Sequence, residues 1–546
     1  METDNREKKV KRARAGMPLL VVFALILGLV MGYRLPTLTH VGKSSAGDKV
    51  AELMALIERH YVEEVDVDSL LEESIPDILA KLDPHTAYIP AKDLNDVNSE
   101  LEGSFSGIGI QFQVMNDTIT VLEVIAGGPA DDVGLLPGDR IVEVDDSLMV
   151  GPGLNSNDVV RTLRGPADSQ VKVDVKRAGA PGLLSFTLTR GDIPVTSIDA
   201  SYLIAPETGY IKLNTFGRNS YSEFYTQLAM LRSVGARDFI LDLRGNGGGF
   251  LDIAIQIANE FLPAGAGIVE TRGRNGESIS GIAADGSGSL QQGELIVLLD
   301  EFSASASEIV AGAVQDNDRG TIIGRRSFGK GLVQTQEDLS DGSALRITTA
   351  RYYTPSGRCI QKPFRPGHVT DYALEVYDRY ASGEAFSADS VKFDTSLLYH
   401  TASGREVYGG GGIMPDIFVP ADTANVTKYY SDVVNRGLLQ RFAFKYVDAN
   451  RATLDKAGTA DELLTMLPAD QALLGEFVAF AAENGVAARW YYINISRPLL
   501  VNALKALIAR DVLGTAAYFE IDNTIDNVVG RALSELQARR NGSDEQ

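Results

Sequence analysis

The chain has 546 residues, 51 lysines and arginines against 73 aspartates and glutamates, a net charge of −22 and a single cysteine. That length exceeds one ordinary domain and points to about three or four. The acidic balance argues against a nucleic-acid binder, which needs basic surface to neutralise phosphates, and the lone Cys359 excludes an internal disulfide and a cysteine-built zinc site.

Lys8, Lys9, Lys11, Arg12 and Arg14 precede an uncharged, mostly apolar run over residues 17–33. The run is at the short end for a spanning helix and slightly long for the core of a cleavable signal. Residues 34–43 lack a convincing small-residue cleavage site, with Ser44-Ser45-Ala46 only a faint one. The segment therefore reads as an uncleaved anchor rather than a removed signal. The basic tail, residues 1–16, should stay cytoplasmic and the rest should be exported, on the periplasmic or extracytoplasmic face of the membrane.

Helical spacing follows at Ala51, Leu53, Leu56 and Ile57, then at Leu70, Leu71, Ile75, Ile78 and Leu79. Asp83-Pro84-His85 punctuates it as a turn. From residue 101 the texture changes to short strands and turns. Strands are expected at 111–114, 118–124, 141–144, 171–175 and 184–188. A short helix opens at Pro129, where a missing N–H is harmless. A second covers 155–163, with Val159, Val160 and Leu163 on one face.

From Gly209 strands and helices alternate, as in an α/β core. Strands are expected at 210–213, 239–243, 295–299 and 321–323, and helices at 221–231, 251–261 and 305–314. Residues 273–293 read as a surface loop and 362–412 as irregular. After Pro420 the pattern is helical, at 473–482, 499–509 and 528–536.

Three segments carry chemistry. Phe302-Ser303-Ala304-Ser305-Ala306-Ser307-Glu308 follows a buried strand and opens a helix. A serine there sits beside free backbone N–H groups and the positive end of the helix dipole. Taken alone, such a serine is more often an N-cap than a nucleophile. Ser327-Phe328-Gly329-Lys330-Gly331 frames one lysine between two glycines, which a surface lysine would not need. Asp242-Leu243-Arg244-Gly245-Asn246-Gly247-Gly248-Gly249 is a glycine-rich turn at a strand end. It lacks the Gly-Lys-Ser/Thr ending of a phosphate loop.

In this order the three segments resemble the C-terminal processing peptidases, also called tail-specific proteases. The likeness covers roughly residues 50 to 420. It includes Tyr61-Val62-Glu63-Glu64-Val65-Asp66, Leu82-Asp83-Pro84-His85, Phe105-Ser106-Gly107-Ile108-Gly109-Ile110, Tyr353-Thr354-Pro355-Ser356-Gly357 and Gly411-Gly412-Ile413-Met414-Pro415-Asp416-Ile417. The resemblance implies a serine–lysine dyad with the serine twenty-five positions before the lysine, which selects Ser305 for Lys330; Ser303 and Ser307 are the near alternatives. It also implies oxyanion donors at Ala306 and at a glycine of the turn, Gly248 here. Gly247 stands where proline or serine is frequent in the family, so Gly247, Gly248 and Gly249 stay open. Gln334 matches the position that orients the lysine. Four strand residues span about 13 Å, so reaching Lys330 requires a bend near Gly331.

The unit over 101–191 looks like a PDZ domain. Gly107, Ile108, Gly109 and Ile110 match its carboxylate-binding loop, and Val159, Val160 and Leu163 would line its apolar pocket. Such a groove holds a terminal carboxylate on backbone N–H groups and adds the peptide as a strand.

The architecture expected is a multidomain α/β and α+β protein. It has a basic tail (1–16), a membrane anchor (17–33), a helical segment (46–100), a PDZ domain (101–191), a crotonase-like α/β peptidase core (192–420) and a helical C-terminal domain of unknown role (421–546). The implied activity is serine endopeptidase hydrolysis through an acyl-enzyme. The implied partners are protein or peptide substrates with free, apolar C-termini, the membrane through the anchor, and a second copy in a homodimer. No cofactor and no metal are called for. None of His40, His60, His85, His368 and His400 lies in a recognisable protease signature, His85 reading as a turn or packing residue, and no HExxH occurs. The rival reading is a non-catalytic peptide-binding scaffold built on a PDZ domain.

Overall fold

The computed structural model describes residues 46–543 apart from 116, 126 and 178. The apolar run at 17–33 lies outside the described residues. Among these, no single helix is long and apolar enough to cross a membrane. The chain forms two compact units, up to Ile78 and from Leu79 onward. In the first, the helix Ala46–His60 buries none of its side chains and leaves Val50, Leu53 and Leu56 exposed.

The second unit is built on a six-stranded sheet, in the order Ile198–Ala205, Thr208–Leu213, Asp238–Asp242, Leu295–Leu299, Thr321–Gly324 and Ile417–Phe418. The first pair is antiparallel and the rest are parallel. Parallel strands joined by helices are covered on both faces, which is why Leu295–Leu299 is apolar and buried at every position. Alternation still sorts the side chains. Leu241, Val297 and Leu299 face a core shared with the helices Ser220–Ser233, Leu251–Phe261 and Ala306–Asp316. Ile240, Ile296 and Leu298 face the other way, onto Val528, Val529 and Ala532 of the C-terminal helix Asn527–Ser543.

A second sheet runs Ala87–Ile89, Ala344–Tyr353, Gly267–Arg272, Ser278–Ala283, with Leu332–Asp338 also paired to Ala344–Tyr353. Two expectations are corrected here. Within 273–293 lies the strand Ser278–Ala283, recruited by cross-strand pairing that its Gly- and Ser-rich composition does not announce. Within 362–412 lies the helix Val369–Ala381, which buries Tyr372, Val376 and Arg379. Elsewhere in this unit Arg358 and Asp316, both with fully buried side chains, pair at 2.7 Å.

Residues 104–194 leave and rejoin the core through an antiparallel ribbon of Ser104–Gly107 and Gly191–Pro194. Between them a six-stranded sheet packs Ile119, Val121, Ile141, Val173 and Val175 against the helix Ser156–Leu163. Its edge strand Ile110–Met115 pairs only with Thr118–Val124 among the described residues. Beyond Pro420, helices from Lys428–Asn435 to Thr515–Asp522 enclose a separate apolar core around Phe442, Phe477, Leu500 and Leu504.

Candidate active site

Ligand sites in open α/β sheets lie beyond the carboxyl ends of the parallel strands. Two such ends meet here. Asp238–Asp242 runs into the glycine turn, and Leu295–Leu299 runs into the serine segment. Asn246, fully buried, ties them together: its Nδ2 donates to the Leu213 carbonyl at 2.9 Å, and its own carbonyl accepts from Ala304 N–H at 3.0 Å and Ser307 Oγ at 2.9 Å. Behind the turn the carboxylate of Asp242 accepts from Tyr210 Oη at 2.7 Å and Arg244 Nη2 at 2.6 Å. Burial opposes its ionisation, but Arg244 and Lys212 together hold it well below the ordinary carboxylate range.

Ser303 and Ser307 are fully buried, with their hydroxyls donated to the carbonyls of Leu243 and Asn246. Ser305 between them lines a cavity of about 820 Å³. It caps the helix Ala306–Asp316 with φ 57° and ψ −112°, a region that costs a non-glycine residue about 1–3 kcal/mol. Gly248 makes this turn feasible. Its φ is 103°, and a Cβ there would lie 2.8 Å from Ser305 Cβ and 2.9 Å from Ala306 N.

Glu308, fully buried, joins the serine turn to the lysine loop. Its carboxylate accepts the N–H groups of Ser305 at 2.8 Å, Gly329 at 2.8 Å and Lys330 at 2.9 Å, and the Ser327 hydroxyl at 2.5 Å. Burial raises its pKa, and those four donors pull the other way. Its place three residues after Ser305 is the S-x-x-E signature of a capping box, the signal by which it could have been found.

Lys330 lines the same cavity and donates from Nζ to Gln334 Oε1 at 2.9 Å. No hydrogen bond joins it to Ser305 among the described residues. Its ammonium is disfavoured first by burial and then by the Arg346 guanidinium; Glu308 and Asp83 pull the other way, and the net shift is downward. The strand carrying Gln334 begins at Leu332, after Gly331, and has a bulge between Val333 and Gln334. The lysine side chain covers the remaining reach. Gly329, at φ 90°, packs against the backbone of Gly412, where a Cβ would approach Gly412 N to 3.1 Å.

Two further groups border the site: His85, read from the sequence as a turn or packing residue, and Tyr352, which the sequence reading missed. Gln334 Nε2 donates to the backbone carbonyl of His85, which fixes the amide with its oxygen toward Lys330. The His85 ring bonds Tyr372 Oη at 3.0 Å, and burial, aided by the Lys330 charge, holds its pKa at about 4. It is therefore neutral near pH 7, and the burial that disfavours its charged form makes it a weak base. Tyr352 Oη reaches the carbonyls of Ser305 at 3.1 Å and Lys330 at 2.5 Å.

Among the residues read as a peptide groove, Gly107, Ile108 and Gly109 are buried and Ile110 opens the edge strand. Val159 and Leu163 are 0% and 4% exposed and sit with Ile108 in the apolar core; Val160 is partly exposed.

The chain matches the family model for peptidase family S41 over residues 207–372, a PDZ domain over 120–177, and a family of unknown function, DUF8443, over 429–514. It is 37% identical over 380 residues to the carboxy-terminal-processing protease of Bartonella bacilliformis, covering 68% of this chain and 84% of that one. The chain belongs to the carboxy-terminal processing proteases. The CtpA protease of Bacillus subtilis is 31% identical over 360 residues, covering 64% of this chain and 76% of that one. Among solved structures, the photosystem II D1 C-terminal processing protease matches with 28% identity and a TM-score of 0.34, covering 68% of this chain and 92% of that one. The protein is a serine-type peptidase, so the scaffold reading falls away. The protease has a multidomain α/β architecture with a PDZ domain, an S41 core holding Ser305, Lys330 and Gln334, and a helical C-terminal region.

Proposed function

We propose that the protein is an endopeptidase in which Ser305 is the nucleophile, Lys330 its general base and Gln334 the group that orients the lysine. The observation that carries this is the fate of the three serines. Two are buried with their hydroxyls committed to carbonyls, and Ser305 alone of them faces the cavity that Lys330 lines. Neutral Lys330 takes the Ser305 proton as the alkoxide adds to the scissile carbonyl. The ammonium then returns the proton to the leaving amine, and water, activated by the same lysine, hydrolyses the acyl-enzyme. Ala306 N–H has no acceptor among the described residues, as suits an oxyanion donor. Gly248 N–H donates to Asn246 Oδ1 at 2.8 Å, so it can serve only once that bond opens. Gly247 N–H has no acceptor among the described residues and is the alternative. Hydrolysis of a casein-type substrate by the purified chain, and its loss in Ser305→Ala, tests the assignment.

The PDZ unit, taken as 101–191, would present substrate tails to the peptidase core at 192–420. The open edge of Ile110–Met115 supports strand addition, and the backbone of Gly107–Ile110 supports carboxylate capture. A substrate with a free, apolar C-terminus should be cleaved with a kcat/KM about tenfold above its amidated twin, the worth of one charge-assisted hydrogen-bond set. Steady-state rates on the matched pair decide this; equal rates would reduce the unit to packing. The basic flank before residues 17–33 supports a cytoplasmic N-terminus, an anchor at 17–33 and an exported catalytic body. In right-side-out membrane preparations, added protease should digest the body; full protection would contradict export.

A further inference from the structure

Arg346 stands on the strand Ala344–Tyr353, opposite Ala87 on one side and Gln336 on the other. Its side chain lines the same cavity as Ser305, Lys330 and Gln334. Acidic residues outnumber basic ones by 73 to 51 in this chain, yet no carboxylate comes within 4.0 Å of this guanidinium among the described residues. Its Nη2 donates to two neutral amides, Asn98 Oδ1 at 3.3 Å and Gln336 Oε1 at 3.2 Å. Those contacts aim the group without neutralising it. Nε and Nη1 make no hydrogen bond among the described residues, and neither is sealed from solvent. Glu102, the acidic residue among the cavity walls, lies 3.6 Å from Arg218 instead.

A fixed cation with no carboxylate partner among the described residues, in the cleft that Ser305 and Lys330 line, is a ready site for an anion. Guanidinium is the side chain best shaped for a carboxylate, since its N–H groups diverge in a plane. We infer that Arg346 is a specificity-determining residue that takes a carboxylate of the bound substrate close to the scissile bond. This rests on the reading of Ser305 as the nucleophile. The carboxylate has two chemical sources: the side chain of an aspartate or glutamate, or the terminal carboxylate of a chain that ends shortly after the cleaved bond. The neighbouring charge of Arg346 also adds to burial in lowering the pKa of Lys330, so one residue bears on both base and substrate.

The test uses binding and hydrolysis separately. Fluorescent peptides are made in matched pairs, Asp against Asn or Glu against Gln, one position at a time across three residues on either side of the scissile bond. A further pair ends just after that bond as free acid or amide. Affinities are measured on the full chain carrying Ser305→Ala, with and without Arg346→Gln. At one position the acid should bind about tenfold tighter than its neutral twin. That ratio should fall to near one in Arg346→Gln and below one in Arg346→Glu. Preference confined to the terminal pair identifies a chain end as the source, and preference at an internal position identifies a side chain. Arg346→Lys keeps the charge and should retain most of the ratio, which guards against a variant that merely misfolds. An acid-to-neutral ratio that is flat, or unchanged by Arg346→Gln, overturns the inference. Hydrolysis of the neutral peptides by the unmodified chain, lost in Ser305→Ala, independently checks the nucleophile.

Discussion

Ser305→Ala and Lys330→Met should each lower kcat by roughly 10⁴–10⁶-fold, because residues that act as one unit in acyl transfer fail together. KM should change little, since neither side chain carries the bulk of substrate binding. The rate of the unmodified enzyme should rise with pH. The sign follows from the base: the lysine must be neutral to accept the Ser305 proton, and burial with Arg346 lowers its pKa against the opposing pull of Glu308 and Asp83. The climb should therefore fall below the ordinary lysine value of 10.5. Lysine also has a stability consequence. A folded-state pKa below the unfolded one means the ammonium costs the fold stability; that cost is absent above the unfolded value and grows as pH falls toward the folded value. Lys330→Met removes it, so the inactive variant should melt no lower than the parent near neutral pH. Activity surviving in purified Lys330→Met would end the dyad assignment. Chelators should leave the rate unchanged; inhibition reversed by zinc would place the enzyme in another class.

Glu308→Ala should be the most damaging change outside the dyad. It strands the N–H groups of Ser305, Gly329 and Lys330 and the Ser327 hydroxyl around a position where the Glu308 side chain is itself fully buried. Each unsatisfied donor costs about 1–3 kcal/mol, and shared relaxation makes the sum less than additive. A loss of about 3–5 kcal/mol in denaturant unfolding of the core is expected. The kcat loss should be at least 10²-fold, the typical effect of a roughly 1 Å misplacement of catalytic groups. Glu308→Gln keeps the volume but turns one oxygen into a donor facing other donors. It should unfold more readily than the parent, less so than the alanine variant, and still lose most of its kcat. A fully active Glu308→Ala enzyme would show that the two loops hold their places without the carboxylate.

The sequence by itself determined the elements whose hydrophobic pattern is local. The helix at 251–261 and the strand at 295–299 fall where their apolar runs and flanking turns put them. It also marked the segments around Ser305 and Lys330 by a helix start and framing glycines, while pairing those two residues rested on the resemblance to the C-terminal processing peptidases. The choice among the three serines, by contrast, is physical only in three dimensions, where Ser303 and Ser307 sink into the core and Ser305 does not. The strand Ser278–Ala283 and the helix Val369–Ala381 were hidden because pairing and burial, not propensity, select them. Val159 and Leu163 share a helical face in either view, but only packing shows that this face is the domain core. The same holds for the contacts of the site. Glu308 reaches Lys330 across 22 positions, and Gln334 reaches the His85 carbonyl across 249. Periodicity reports on neighbours within a few residues, whereas those meetings are set by how two sheets close around one cavity, which no local pattern encodes.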